Sequence, residues 1–149
     1  MAANEQEISE KTMNSEELLV KDEEFKEEIL SKLNQLRKEG ILCDVTLRID
    51  GQDFPAHRCV LSAASPYFRA LFAFEFKLIE NESNRIELQD IKSTAAKEVL
   101  EFIYTGQAMV NSTNAQDLLR AADYLIIPSL KSKVATFLDR KSTRLNSSH

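Results

Sequence analysis

The stretch from Phe54 to Phe72 constrains the fold more than any other part of the chain, because it predicts two short amphipathic helices that meet at a sharp corner. Ser65 is a good helix N-cap, and Pro66 suits the first helical position, where its missing N–H would have had no partner. The two helices present a hydrophobic face that other elements must cover. Apolar residues recur at helical spacing on both sides of the corner: Val60, Leu61 and Ala64 before it, and Phe68, Leu71 and Phe72 after it.

A β-hairpin is predicted immediately before these helices. Residues 43–49 alternate apolar and polar side chains, as expected of a strand with one buried face. Asp50-Gly51 is a strong hairpin signal because both residues tolerate a positive φ, and residues 52–56 form the return strand. Pro55 has no N–H to donate to a neighbouring strand, so this part of the strand is expected to lie at an edge or at an irregularity of the sheet.

The other predicted elements are helices and one further strand. A helix from Glu24 to Gly40 carries apolar residues three and four apart, and Gly40 is typical of a C-terminal cap. Residues 85–88 predict a short third strand. The chain is therefore predicted to form an α+β domain in which five or six short helices cover a small three-stranded sheet. The later helices begin at Ser93 or Thr94, at Asn114 as a cap with an apolar stripe that runs to Ile126, and at Pro128.

Both ends of the chain differ from this pattern. Residues 1–23 are polar and acidic and are predicted to be a disordered tail, although 18–20 could instead pair as an added edge strand. Residues 139–149, DRKSTRLNSSH, lose the apolar period and resemble a linker. This string is also one reading frame of a common sequencing-library adapter. We therefore expect residues 139–149 to be non-native and the natural chain to continue past Leu138.

Composition and charge exclude several classes of function. With 149 residues, 43% of them hydrophobic, the chain supports one core and one domain. A formal net charge of −5 argues against a nucleic-acid surface, which needs a clustered basic face. No apolar run approaches the roughly 20 residues that a membrane span requires, and the N-terminus lacks the apolar segment of a secretion signal. We therefore expect the protein in the cytoplasm, with the nucleus as the alternative.

The residue types and motifs of an active site are scarce. The chain has two histidines, three glycines and no HExxH, GxSxG or phosphate-cradling loop. His57 is expected to be structural; the alternative is a proton shuttle with Arg58, for which the neighbouring sequence offers no nucleophile. Cys43 and Cys59 lack CxxC spacing and are expected to be buried, reduced thiols. We expect no enzyme activity, cofactor, metal or small-molecule substrate.

Two motifs connect this pattern with a known family. The segment CDVTLRIDGQDFPAHRCVLSAASPYFRALF resembles the signature of the BTB (POZ) domain, and FIYTG at 102–106 resembles the second landmark of that family. LNQLRKEGILCD together with FPAHR is similar to the kelch-like subfamily. The resemblance runs from about Phe25 to Leu138 and implies a BTB/POZ fold for residues 24–138.

The resemblance also implies a function and its site residues. Kelch-like BTB domains form homodimers and serve as the N-terminal part of substrate adaptors for a cullin-3-type ubiquitin ligase. The implied cullin-binding surface comprises Phe72, Phe76, Glu80 and Tyr104. The implied dimer interface comprises Phe25, Ile29, Leu33, Asp44, Arg58, Val60 and Leu61.

The cullin-binding element departs from the kelch-like pattern. That pattern has a hydrophobic residue, any residue and then glutamate; Phe76-Lys77 fits its first two positions, but Leu78 stands where the glutamate is expected. Glu80 would then have to take over that role. Because a helix cannot bury Phe72, Phe74 and Phe76 on one face, one or two of the three are expected to be exposed; the alternative is an irregular loop tucked into the core.

Three questions stay open at the level of the sequence. Asp44 and Arg58 are either a buried or half-buried charged pair near a dimer interface or two separate surface charges. The chain could instead be the BTB domain of a zinc-finger transcription factor, in which the same dimer recruits a corepressor. A tetramerising channel-type BTB domain is disfavoured by the presence of the helix over 25–36.

Overall fold

The β-hairpin forms as predicted. The computed structural model of the protein describes residues 16–77 and 84–147. Strands β1 (Val45–Ile49) and β2 (Gln52–Ala56) are antiparallel neighbours joined by the Asp50-Gly51 turn. Both turn residues have a positive φ, 53° for Asp50 and 74° for Gly51, which suits the twist of the two strands.

A third strand completes the sheet. Strand β3 (Arg85–Leu88) pairs in parallel with the other side of β1, so the strand order is β2-β1-β3. Pro55 lies on the edge strand β2, which confirms the position predicted from its missing N–H. The alternate side chains of β1 and β3 that enter the core are Val45, Leu47, Ile49, Ile86 and Leu88.

Within the described ranges, six helices accompany the sheet. Helix α4 lies at their centre, because it packs against α1, α2 and α5. The α+β architecture with a small three-stranded sheet is therefore confirmed. The six helices are α1 (Glu23–Glu39), α2 (Arg58–Ala64), α3 (Pro66–Lys77), α4 (Ser93–Thr105), α5 (Ala115–Tyr124) and α6 (Pro128–Ser147).

The Ser65-Pro66 corner joins α2 to α3 as predicted and also fixes the end of α5. The Ser65 hydroxyl accepts a hydrogen bond from the Phe68 N–H at 3.3 Å, which caps α3. The same hydroxyl donates to the carbonyl oxygen of Leu125 at 2.5 Å. This single buried side chain therefore connects the corner with the segment that follows α5.

The structure corrects two details of the predicted helix α5. Asn114 occupies the N-cap position, but its side chain does not cap the helix. It accepts from the Asn111 N–H and donates to the Met109 carbonyl, each at 2.9 Å, so it closes the preceding loop instead. Ile126 belongs to the apolar stripe predicted for this helix, yet it is 45% exposed with a left-handed φ of 52°.

The structure describes part of each predicted tail. Residues 1–15 lie outside the described ranges, and 16–22 contain no strand, with Leu18, Leu19 and Val20 all exposed. At the other end, α6 continues to Ser147, so the segment predicted as a linker-like tail from residue 139 is helical for most of its length.

Candidate protein interaction site

The N-terminal half of α1 exposes large apolar side chains. Phe25 is 56% exposed, Ile29 45% and Leu30 46%, and Leu33 is half-buried. We call these four residues the α1 stripe. Asp22 accepts a hydrogen bond from the Phe25 N–H at 3.0 Å, so the stripe belongs to a capped helix and not to a frayed end. An exposed apolar surface of this kind is typical of a protein contact.

The C-terminal half of α1 is anchored on α4 by charged side chains. Nη2 of the buried Arg37 donates to Glu101 Oε1 at 3.1 Å, and Lys38 Nζ lies 2.9 Å from the same oxygen. The hydrogen bond from Lys38 and the positive charge of both cations lower the pKa of Glu101, against the effect of its partial burial. Asn34 Oδ1 accepts two further hydrogen bonds from Arg37, so the buried cation is well compensated.

Tyr104 and His57 form a buried pair next to this anchor. The Tyr104 hydroxyl accepts the His57 backbone N–H at 3.0 Å and lies 2.7 Å from Nδ1 of the imidazole. Nε2 lies 3.0 Å from the Ile41 carbonyl oxygen and 3.6 Å from Cys43 Sγ. The guanidinium carbon of Arg37 is 5.0 Å from the centre of the Tyr104 ring. Burial raises the pKa of Tyr104 to about 12. These contacts support the structural role expected for His57.

Asp44 and Arg58 meet at the start of α2. Asp44 Oδ1 accepts the backbone N–H of Arg58, the first residue of the helix, at 2.7 Å. The carboxylate therefore satisfies one of the N–H groups that a helix leaves without an internal partner. Asp44 is exposed and Arg58 is half-buried, with its guanidinium carbon 5.6 Å from the centre of the Phe72 ring. The contact between Asp44 and Arg58 therefore includes a hydrogen bond that caps α2. Neither sequence-based alternative, a charged pair or two separate surface charges, predicted this hydrogen bond.

The remaining predicted interface residues on α2 differ in accessibility. Leu61 is 0% exposed, so it supports α2 from inside its own chain and presents no surface to a second copy. Val60 is half-buried and has surface to offer. The expectation of buried cysteines is wrong for Cys59, which is exposed. Cys43 is half-buried, and burial together with the neighbouring negative charge of Asp44 raises the pKa of its thiol.

The structure separates the residues predicted to bind a cullin. Tyr104 and Phe72 are buried in their own chain, because the hydroxyl of Tyr104 is bonded to His57 and the ring of Phe72 stacks on Phe68. Phe74 is 63% exposed, as expected for at least one aromatic residue of α3. Glu80 and the side chain of Phe76 lie outside the described residues.

The described ranges offer neither a metal site nor a membrane segment. Among residues 16–77 and 84–147, no three His, Cys, Asp or Glu side chains form a group that could hold a metal ion. In the same part of the chain, every helix is too short or too polar to span a bilayer.

A small sheet covered by helices, with an apolar stripe left exposed on one capped helix, is typical of a domain that binds other proteins. The family model described as "BTB/POZ domain" matches residues 33–142, which is well over half of the chain. The chain therefore belongs to the BTB/POZ domain family.

Two curated relatives represent two branches of that family. Over 114 residues, the chain is 45% identical to Kelch-like protein 21 of Homo sapiens and 41% identical to "Zinc finger and BTB domain-containing protein 7A" of Gallus gallus. Each match covers 76% of this chain, but only 19% and 20% of the respective relative. The chain thus spans about a fifth of the length of the curated relatives that it matches.

Solved structures of BTB domains share the fold. The BTB domain of zebrafish PATZ1 superposes with a TM-score of 0.74 and 28% identity, covering 83% of this chain and 99% of that one. The BTB domain of human Gigaxonin gives a TM-score of 0.68 and 32% identity, covering 82% and 98% respectively. The BTB fold predicted from the two sequence motifs is therefore confirmed.

Sequence reasoning missed the anchor of α1. Arg37 is a cation in a helix of many charged residues, and its partner Glu101 lies 64 residues away along the chain. The only signal was positional, because Arg37 lies on the same side of the helix as Leu30 and Leu33. A charged residue at such a position predicts a buried ion pair but does not identify its partner.

Proposed function

We propose that this chain is a homodimeric interaction domain whose two copies pair through the α1 stripe. The observation that carries this proposal is the exposure of Phe25, Ile29 and Leu30 on one capped helix. Burying a large apolar side chain contributes about 1.5–3 kcal/mol, and a twofold arrangement lets the same stripe cover its own copy. Leu33 and Val60, both half-buried, extend the surface that the second copy covers.

Analytical ultracentrifugation of the Ile29→Asp variant tests this proposal. A carboxylate placed in the centre of the stripe would have to be desolvated on pairing, so we expect the dissociation constant to rise more than tenfold. Ser31→Asp is the matched control, because it adds the same charge to the same helix about 200° away from Ile29.

The expected result is a wild-type and a Ser31→Asp chain that dimerise and an Ile29→Asp chain that sediments as a folded monomer. A wild-type chain that stays monomeric at high concentration would overturn the proposal. Equal weakening by both aspartates would place the contact elsewhere on the molecule.

In its cell we propose that the dimer is the N-terminal part of a kelch-like substrate adaptor for a cullin-3-type ubiquitin ligase, working in the cytoplasm. The 45% identity to Kelch-like protein 21 supports this assignment. In this proposal the cullin contacts the end of α3, where Phe74 is exposed, together with Phe76 and Glu80. Phe72 and Tyr104 support that surface from within the core.

Isothermal titration calorimetry of the dimer with a cullin N-terminal fragment tests the adaptor assignment. Phe74→Ala should weaken binding about tenfold or more, since an exposed aromatic anchor contributes strongly at an interface. Tyr124→Ala is the control, because Tyr124 is also an exposed aromatic residue but lies on α5. No binding by the wild-type dimer would refute the adaptor assignment and leave the dimer proposal intact.

The second candidate function is that of a zinc-finger transcription factor, in which the BTB dimer recruits a corepressor in the nucleus. The 41% identity to "Zinc finger and BTB domain-containing protein 7A" supports it. The gene sequence that follows the codon for Leu138 discriminates between the two functions. Kelch repeats there would support the adaptor, and Cys/His finger spacing would support the transcription factor.

A further inference from the structure

A series of hydrogen bonds connects the core helix α4 with the end of α1. The Ile41 carbonyl oxygen can only accept, so Nε2 of His57 carries the imidazole hydrogen and donates it at 3.0 Å. Nδ1 of this tautomer is an acceptor, so the Tyr104 hydroxyl, which accepts the His57 backbone N–H at 3.0 Å, donates its own hydrogen to Nδ1 at 2.7 Å. We call this chain of three residues the Tyr104–His57–Ile41 relay.

The relay ends on the terminus of α1 itself. The Ile41 N–H returns to the Leu36 carbonyl oxygen at 2.8 Å and so closes the last turn of the helix. Ile41 is thereby held from two sides, by its own helix through the N–H and by the core through the carbonyl. Both Tyr104 and His57 are buried, so water does not compete for the hydrogen bonds between them.

The other end of α1 has no such attachment that the described residues reveal, since Phe25, Ile29 and Leu30 are exposed. At 1.5 Å per residue, Phe25 lies about 21 Å along the helix axis from Glu39, the last residue of α1. A tilt of about 10° at the anchored end would move Phe25 by about 4 Å, which is comparable to the spacing between packed side chains. A small change in the direction of α1 at its anchored end would therefore be amplified at the α1 stripe.

We propose that the Tyr104–His57–Ile41 relay sets the direction in which α1 projects and thereby the strength of self-association through the α1 stripe. This inference rests on the proposed self-association. Tyr104 and His57 are positioning residues, because they act on the partner copy through α1 without touching it. The landmark motifs FPAHR and FIYTG each contribute one of these buried residues.

The Tyr104→Phe variant tests the inference by removing one hydroxyl. The ring under the Arg37 guanidinium is kept, while Nδ1 and the backbone N–H of His57 lose their partner. Tyr67→Phe is the matched control, because it removes a hydroxyl that meets Tyr124 at the surface at 3.4 Å. We expect the dimer dissociation constant to rise about tenfold for Tyr104→Phe and to stay unchanged for Tyr67→Phe.

A second measurement on the same samples reports the direction of α1 independently of pairing. Residual dipolar couplings of the α1 amides should fit one common alignment with the sheet in wild type and in Tyr67→Phe. In Tyr104→Phe the α1 couplings should shrink or require a different orientation. In the unmutated chain, nitrogen chemical shifts should show the His57 hydrogen on Nε2, a test that does not depend on how well any variant folds.

Unchanged α1 couplings in Tyr104→Phe, or a His57 hydrogen on Nδ1, would overturn the inference while the wild-type dimer remains. Altered couplings with an unchanged dissociation constant would overturn the link between helix direction and pairing. A wild-type chain that is monomeric at every concentration would instead overturn the proposed function, and this inference with it.

Discussion

Helices α1 and α5 both carry apolar stripes, but only α5 buries its stripe within the chain. Leu118 and Ala122 of α5 are fully buried, and the helix packs between α4 and α6. On α1, Phe25 and Ile29 have the same kind of helical spacing and remain exposed. Apolar spacing therefore identifies a helix face that avoids water, whereas tertiary structure decides what covers that face.

The two helices also end differently although their hydrogen bonds are alike. At the end of α1 the N–H groups of Gly40 and Ile41 return to the last turn at 3.1 and 2.8 Å; those of Ile126 and Ile127 do so after α5 at 3.2 and 2.9 Å. Both ends need one residue with left-handed φ. At the end of α1 the left-handed residue is Gly40, whereas after α5 it is the β-branched Ile126. The helix with the buried stripe thus tolerates a strained end.

The largest expected effect is a difference in stability between substitutions in the α5 stripe and in the α1 stripe. Leu118→Ala should lower the free energy of unfolding by about 2–5 kcal/mol, because it leaves a cavity between packed helices. Ile29→Ala should change it by only about 0.5 kcal/mol in chains dilute enough to be monomeric. Urea denaturation at low protein concentration measures both. A similar loss from both variants would mean that a single copy covers the α1 stripe.

Local chemistry made most of the fold predictable. The Asp50-Gly51 turn, the Ser65-Pro66 corner and the edge position of Pro55 each follow from the allowed backbone angles of one or two residues. The helix starts at Ser93 and Pro128 were equally local signals. Elements set by neighbours in sequence can be found without knowing what they pack against.

The site was less predictable because its contacts are long-range. Nothing near Tyr104 in sequence indicates that its hydroxyl reaches His57, 47 residues away. Leu61 and Tyr104 looked like surface residues by resemblance, yet tertiary packing buries both. Helical spacing alone assigns Ile126 to the apolar stripe of α5. A left-handed φ is uncommon for isoleucine, so the residue type does not predict the one observed there.

The next prediction concerns Gly40, the residue with left-handed φ at the end of α1. Gly40→Ala should lower the free energy of unfolding by about 1–2 kcal/mol, because alanine disfavours a φ of 71°. A Cβ at this position would meet nothing within 4 Å, so a steric clash makes no contribution. Thermal denaturation of the variant measures the loss. An unchanged midpoint would show that α1 ends without needing the left-handed residue.

The strained end of α5 predicts a change of opposite sign. Ile126→Gly should raise the free energy of unfolding by about 1 kcal/mol, because glycine adopts a φ of 52° without strain. Ile127→Gly is the control and should be destabilising, since Ile127 is buried. Equilibrium urea unfolding distinguishes them. If Ile126→Gly is also destabilising, the exposed isoleucine makes contacts whose loss outweighs the relief of strain.

The smallest expected effect concerns acid, which should loosen the anchor of α1. The hydrogen bond from Lys38 and the nearby Arg37 lower the pKa of Glu101 below its ordinary 4.5 in the folded chain. This ion pairing therefore stabilises fully above about pH 4.5 and is lost as the pH falls through the lower folded value. Glu101→Gln should cost about 0.5–1 kcal/mol at neutral pH and flatten stability against pH in that acidic range. Urea unfolding from pH 3 to 7, with the exposed Glu28→Gln as control, measures the slope. An equal slope in both variants would show that Glu101 is not what makes the α1 anchor acid-sensitive.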